Sequence, residues 1–562
     1  MRTHTAAFAP PLSRAAGCAA GRILALLLLG STAMGTATTA VAQRFLPDDP
    51  LWNDPDRMDM PLPEPTPFGP VTGIGPLEFF RRSLGGRGAY TTPAQNVNTV
   101  EGVPNSSWYT NRHYRSPMPV AALRQGPNQE PPPSLQARWR VTGFVRRGNL
   151  PRAVIRDATG RRFQLLFDTP AHREMATGAA MISSRLLHAL GYNAPQHWLR
   201  RIRPERLVPQ PDSGVTQAGV DSVLARAAQR PDSTYRTLVT RIPDVERRIG
   251  PFRFRGTRPD DANDVFPHEH RRELRGLRVV AAWIHHSKLR SRHTLDVGVR
   301  EDGRQFVRHY LRDLHLTLGS AGAVPKPRWS GHEYVLELDR VFERIGTLGL
   351  SGGEWAKASA SPAAAIGHFG AEQFNPRQWR PEWPNPAFQR ARPADKFWAA
   401  KQICHFSRRD LRAIVATAEY TSPAVADYML RTLVARRDSI AQAYLHWGGG
   451  LGRFSVRAGR LAFADLRAAQ DLAPDTLRRR IAWRAYDNQT DTLSPVLRRT
   501  TSAREGVPLP GYSASYLRAT LAAPHAGSTH VFLRRPPPEL SSPEARRVVG
   551  VERTGPASDP HP

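Results

Sequence analysis

The sequence predicts an α+β fold, and three stretches carry that expectation. Ala153-Val154-Ile155-Arg156 and Phe163-Gln164-Leu165-Leu166-Phe167 flank a turn at Asp157-Ala158-Thr159-Gly160, which reads as a strand hairpin. A long helix follows, with Met175, Ala179, Ile182, Leu186 and Leu190 on one face before Gly191 stops it. Ala394 to Trp447 is helical throughout, whereas Phe454-Ser455-Val456 and His530-Val531-Phe532-Leu533, beyond Gly448-Gly449-Gly450, read as strands. Lobes in which strands and helices segregate give an α+β arrangement.

The first 42 residues read as a signal peptide. Arg2, Arg14 and Arg22 precede a short apolar run from Ile23 to Leu29, and Ala40-Val41-Ala42 supplies small residues for cleavage between Ala42 and Gln43. The run is too short for a stable membrane span, and no later segment is long and apolar enough. The expected mature chain is therefore secreted or periplasmic, with no transmembrane segment. Cys18 leaves with the peptide and Cys404 stands alone, so no intrachain disulfide forms.

Lysine and arginine number 79 against 49 acidic residues, a formal net charge of +30 that cleavage lowers by only three arginines. Such a surface attracts anionic polymer. The arginines are spread along the whole chain, with no basic block interleaved with aromatics, so specific nucleic-acid binding is not expected. An unknown protein or an anionic envelope polymer is the expected partner.

Residues 43–138 are rich in Pro, Asn and Asp, with isolated aromatics at Trp52, Phe68, Phe79, Phe80 and Trp108, and read as an extended segment that wraps the rest. Residues 139–202 form a small α+β lobe, in which Thr169 and Pro170 open the long helix and Tyr192 to Ile202 returns as a strand. Residues 203–447 form a helical lobe whose start, to about Val265, is irregular. Its acidic cluster of Asp260, Asp261, Asn263 and Asp264, near His268 and His270, meets no fixed metal-ligand spacing and reads as a solvated turn before a helix beginning near Glu269. That helix buries Leu274, Leu277, Ala281 and Ile284 and ends at His285-His286. A loop from Ser287 to His293, a hairpin turning at Asp302-Gly303, and Asp313 come next. Ser407 with Asp410 forms a capping box, and Ser422-Pro423 opens another helix. Residues 448–562 form a small β-rich C-terminal domain and tail.

A small α+β lobe followed by helix, loop, hairpin and acidic residue resembles a protein-kinase-like two-lobe core. Gly191-Tyr192-Asn193-Ala194-Pro195, Gly256-Thr257-Arg258-Pro259-Asp260-Asp261, His268-Glu269-His270-Arg271-Arg272-Glu273-Leu274-Arg275 and His309-Tyr310-Leu311-Arg312-Asp313 resemble an exported bacterial family with such a core. The resemblance implies a strand lysine that holds nucleotide phosphates and a helix glutamate that orients it. Leu166 and Ala180 stand at those positions, and Glu174 lies near the start of the same helix. It also implies an aspartate two residues after the loop histidine and a metal-binding asparagine five residues later, where this chain has Lys288 and His293. Of the metal-binding Asp-Phe-Gly only Asp313 survives, in Asp313-Leu314-His315, and Gly143 and Gly148 make a poor phosphate loop. Phosphoryl transfer needs these charges together. The expected protein is a catalytically silent kinase-like binding or scaffolding protein with no cofactor. The alternatives are a divergent phosphoryl or nucleotidyl transferase using a pocket around Asp313, and an envelope-associated structural protein holding anionic polymer; a divalent metal at Asp313 is the one cofactor to weigh against none.

Other chemistry is weaker. Gly349-Leu350-Ser351-Gly352-Gly353 matches G-x-S-x-G but lacks the strand-to-helix context. His285, His286, His293, His309 and His315 bracket the loop and hairpin as metal-ligand types, although histidines at helix ends and strand faces commonly cap or pack. Cys404 follows Ile403 and reads as core.

Overall fold

The computed structural model describes residues 43–66, 92–146, 148–244, 247–335, 363–472, 479–502, 506–523, 527–535 and 546–555. The expected signal peptide with Ala42, and Phe68, Phe79, Phe80 and Ser351, lie outside these residues, and Gln43 is the first described. In chain order the elements begin with α1 (Val120–Gln125), β1 (Trp139–Phe144), β2 (Arg152–Arg156), β3 (Arg162–Phe167), α2 (Met175–Ala189), β4 (His197–Ile202), β5 (Leu207–Pro209), α3 (Gln217–Ala225), β6 (Tyr235–Arg241) and β7 (Arg248–Gly250). They continue with α4 (Arg272–Trp283), β8 (Thr294–Glu301), β9 (Arg304–Leu311), α5 (Pro386–Gln389), α6 (Pro393–Ile403), α7 (Arg408–Val415) and α8 (Pro423–Tyr444). Beyond them are β10 (Leu451–Arg457), β11 (Arg460–Asp465), β12 (Arg479–Asp487), β13 (Thr492–Leu493), β14 (Arg498–Ser502), β15 (Val507–Pro508), β16 (Tyr516–Ala523), β17 (Gly527–Arg534) and β18 (Arg547–Thr554). Helices and strands segregate, so the chain is α+β.

The first sheet has the order β4-β6-β3-β2-β1-β5, and only the β1–β5 pair is parallel. Both of its faces are covered. Leu165 and Phe167 point into a cluster with Val220, Val223 and Leu224 of α3, while Leu166 points the other way, toward Ala176, Ala180 and Met181 of α2. Two buried faces explain why β3 reads as an apolar run instead of alternating. The expected lobe boundary at residue 202 is corrected here, because β6 inserts between β3 and β4 and the sheet runs on to Arg241. The segment expected to be irregular therefore supplies a central strand.

α2 starts later than expected. Thr169 donates to the Ala323 carbonyl, and Pro170–His172 is a separate short 3-10 turn. The carboxylate of Asp168 instead accepts the amides of Ala176 (2.9 Å) and Thr177 (3.1 Å), which a helix start leaves unpaired. The helical lobe packs α4 against α5, α6 and α8 around Trp283, whose indole donates to the Leu433 carbonyl at 2.9 Å. Arg436 of α8 donates to the Ala282 and Trp283 carbonyls at the open end of α4, and burial pushes its pKa down to about 9. The Ser407–Asp410 capping box and the start of α8 at Pro423 are as expected. No helix among the described residues is long and apolar enough to cross a membrane.

Two sheets follow Gly450: β10-β11-β15, and a six-stranded sheet in which β12, β16, β17 and β18 run in order with β13 and β14 on β12. The N-terminal segment wraps onto both ends of the molecule. Phe45 packs on Tyr486, Tyr516 and Phe532 of the last sheet, and its backbone exchanges two 2.8 Å hydrogen bonds with Asn488. Trp108 and Tyr109 are buried among the helical lobe and the β8–β9 hairpin.

Candidate functional site

The residues that the resemblance singles out lie on β3, on α2 and in the stretch from His285 to His315. Leu166 (2 % exposed) and Ala180 (1 %) share one apolar cluster with Leu150, Ala176, Met181, Leu199 and Leu238. Glu174 does not substitute. Its carboxylate accepts from the Thr421 amide at 2.9 Å and from the Thr421 hydroxyl, and lies 3.9 Å from Arg236.

Asp313 sits after β9 in the left-handed region (φ 58°), a conformation that a short polar side chain tolerates. Burial alone would raise its carboxyl, but Arg312, His315, His293 and Arg152 hold it down at about 2. Arg312 is 3.4 Å away, and Arg152 of β2 reaches His315 Nε2 at 2.9 Å. The carboxylate is thus already answered by protein cations. His293 and His315 are each pushed down to about 3, chiefly by burial, so both are neutral at physiological pH. His286 is lowered well below the usual imidazole range, again chiefly by burial, and among the described residues neither of its ring nitrogens has a hydrogen-bond partner. Lys288 is half-buried in the same loop.

A second group in this loop was not legible beforehand. Lys326 Nζ donates to the His285 carbonyl (2.6 Å) and to Ser287 Oγ (2.8 Å). Ser287 and Ser330 both donate to Glu382, at 3.1 and 3.2 Å. Burial pushes Lys326 down to about 7, opposed by Glu382. A serine beside such a lysine is a nucleophile–base geometry. Ser287 and Lys326 are both wholly buried, however, and both carry several internal bonds. The group therefore ties the loop to the segment before it and to Glu382. No signal marked it, because Lys326 and Glu382 are 39 and 95 residues from Ser287.

Four of the five histidines divide between two places, while the His285 ring lies beside Gly331. His286, His293 and His315 lie near Asp313, whereas His309 stacks on Trp108 at 3.6 Å and 13° and bonds Asp296 at 2.7 Å. That second place also corrects the reading of the acidic cluster. Asp261, Asn263 and Asp264 are each 5 % exposed, and only Asp260 faces solvent. Asp264 accepts from His268 at 2.6 Å, from the Arg258 amide at 2.7 Å and from Arg271 at 3.2 Å. Arg258 also reaches Asp296 at 3.2 Å. The turn is buried because these cations and Trp108 cover it. The helix beyond it starts at Arg272, after a 3-10 turn at His268–His270.

No group of three or more His, Cys, Asp or Glu side chains among the described residues is arranged to hold a metal ion. Cys404 is buried and its thiol is pushed up to about 12, which is the state of a core residue. No family model, curated protein or solved structure matches this chain.

Proposed function

We propose that the chain is an exported, catalytically silent kinase-like protein whose job is binding or scaffolding. The observation that carries this reading is the apolar cluster joining Leu166, Ala180 and Leu150, because it includes the two positions at which the resemblance implies a lysine and a glutamate. Five antiparallel strands with a long helix between the third and fourth in sequence, then a helical lobe, support the two-lobe part of it. The Asp313 carboxylate, surrounded by Arg312, Arg152 and two histidines, supports the absence of phosphoryl transfer, since a metal would have to displace its own cations. Export rests on the arginine-flanked apolar run and Ala40-Val41-Ala42.

The test is thermal unfolding of the purified protein with and without magnesium and ATP. A nucleotide at a hundred times its Kd would add about 2.7 kcal/mol of stability. The expected result is no shift and no phosphoryl transfer. A magnesium-dependent shift, or transfer abolished by Asp313→Ala, would overturn the reading.

A further inference from the structure

The last sheet has one face in the core and one outside. Ile481, Trp483, Leu517, Ala519, Leu521, Val531 and Leu533 point inward into one apolar cluster. Side chains alternate along a strand, so the residues between them share the outer face. On that face Ala482 stands opposite Arg499 on one side and Thr520 on the other, and Thr520 stands opposite His530. Arg484 stands directly opposite Arg518, and Arg480 lies opposite Ala522 and Thr501.

Four arginines and a histidine therefore gather on one accessible surface. Arg480 and Arg499 are exposed, and Arg484, Arg518 and His530 are half-buried. Like charges directly opposite each other in a ladder are destabilising. Yet neither Arg484 nor Arg518 has a hydrogen bond or ion pair among the described residues, and Arg518 Nε is buried without a partner. The nearby acids are occupied, because Asp491 and Glu552 both pair with Arg44. A fold that sets two guanidiniums face to face with no ion pair or hydrogen bond among the described residues, over a floor of Ala482, Ala522 and Thr520, is complementary to an anion that comes from outside.

The rest of the face says which anion. Tyr486 (5 % exposed) and Phe532 (1 %) lie on it, but Phe45 covers them, so neither ring is open to stack a nucleobase. What remains is charge, hydroxyls and a flat floor. Arg480 and Arg484 are about 14 Å apart along β12, and neighbouring strands are about 4.8 Å apart. That grid suits carboxylates repeated along an extended chain, each meeting a guanidinium fork. We propose that the outer face of the last sheet binds an acidic polysaccharide, with Arg480, Arg484, Arg499 and Arg518 meeting its carboxylates. Nothing in this proposal rests on the state of the Asp313 cleft.

The test uses the full chain and measures binding to linear polygalacturonate at 50 and 200 mM salt. Poly(dT), phosphatidylglycerol vesicles and neutral dextran serve as competing probes. Polygalacturonate is expected to bind tightest, with affinity falling at least about tenfold at the higher salt. Arg484→Ala with Arg518→Ala is expected to lower affinity at least about tenfold without lowering the melting temperature, because a repulsive pair is removed. The exposed pair Arg480→Ala with Arg499→Ala should also weaken binding, and keeps the test open if the first pair misfolds. Arg408→Ala with Arg409→Ala, on the exposed side of α7, should leave affinity unchanged. Equal loss in that control, tighter binding of poly(dT) or vesicles, or no binding of polygalacturonate would each overturn the proposal.

Discussion

Arg271→Ala is expected to cost the protein about 3–5 kcal/mol, read as a lower urea midpoint by tryptophan fluorescence. Arg271 is wholly buried and reaches Asp264 at 3.2 Å and Glu273 at 3.7 Å, and both carboxylates are buried with it. Its guanidinium also lies 4.7 Å from the Trp108 ring centroid. Truncation leaves two carboxylates without their shared cation, and stranding a buried charge costs more than the pair itself contributes. Arg271→Lys should recover little, because a single ammonium cannot reach both partners as the fork does. A loss below about 1 kcal/mol would mean that the network relaxes or admits water, and the account given for it would fail.

The same network sets a pH dependence. Burial pushes the Asp264 carboxyl up, but the His268 hydrogen bond and the charges of His268, His309 and Arg271 win and hold it at about 2. A group whose folded pKa lies below its unfolded value of about 3.9 contributes stability above that value and loses it as pH falls through the folded pKa. Acid unfolding should therefore draw on Asp264 between about pH 4 and pH 2. In Arg271→Ala that window should move to higher pH, and an unchanged acid midpoint would contradict the assignment.

Trp108→Ala carries the second large effect, about 3–5 kcal/mol. The ring is 3 % exposed, stacks on His309, meets Phe252 edge-on at 4.8 Å and lies 4.6 Å from His268. Removing it opens a cavity beside two His–Asp pairs and lets water onto charges now held apart from it. Trp108→Phe keeps a ring on His309 and should recover a substantial part of the loss. Because Trp108 and Arg271 touch, their combined loss should fall short of the sum of the two, whereas strict additivity would show that they belong to separate units.

The sequence was informative where the signal is local. β2, β3, α2 and the β8–β9 hairpin follow from short apolar runs, from apolar residues on one helix face, and from turn residues such as Asp302-Gly303. β6 was hidden because Tyr235-Arg236-Thr237-Leu238-Val239-Thr240-Arg241 mixes Arg and Thr with the apolar residues, and its place is decided by pairing with β3 and β4. The acidic turn looked solvated because its cover, Asp296, His309 and Trp108 included, lies far along the chain, although Arg258, His268 and Arg271 are close to it in sequence. The arginines on the outer face of the last sheet are scattered over β12, β14 and β16 and meet only when the ladders align. Leu166 and Ala180 were legible as apolar residues at positions that the resemblance singles out, but the cluster around them was not.

The ties between the N-terminal segment and the last sheet bear on how the chain reaches its native state. Phe45 and Asn488 are bonded across 443 residues, and Thr99 Oγ1 donates to the Val549 carbonyl across 450. The amide of Val551 also donates to Thr99. A chain that emerges from a ribosome or a translocation pore with its N-terminus first would hold that segment unsatisfied until β18 has followed it. Phe45 would stay exposed for the whole of that interval. Completion would wait on closing a loop nearly as long as the protein, which is the kind of contact that folds slowly. Refolding should accordingly end in a slow phase seen at the Phe45 contact, and a chain ending before β16 should leave the segment from Gln43 open to protease.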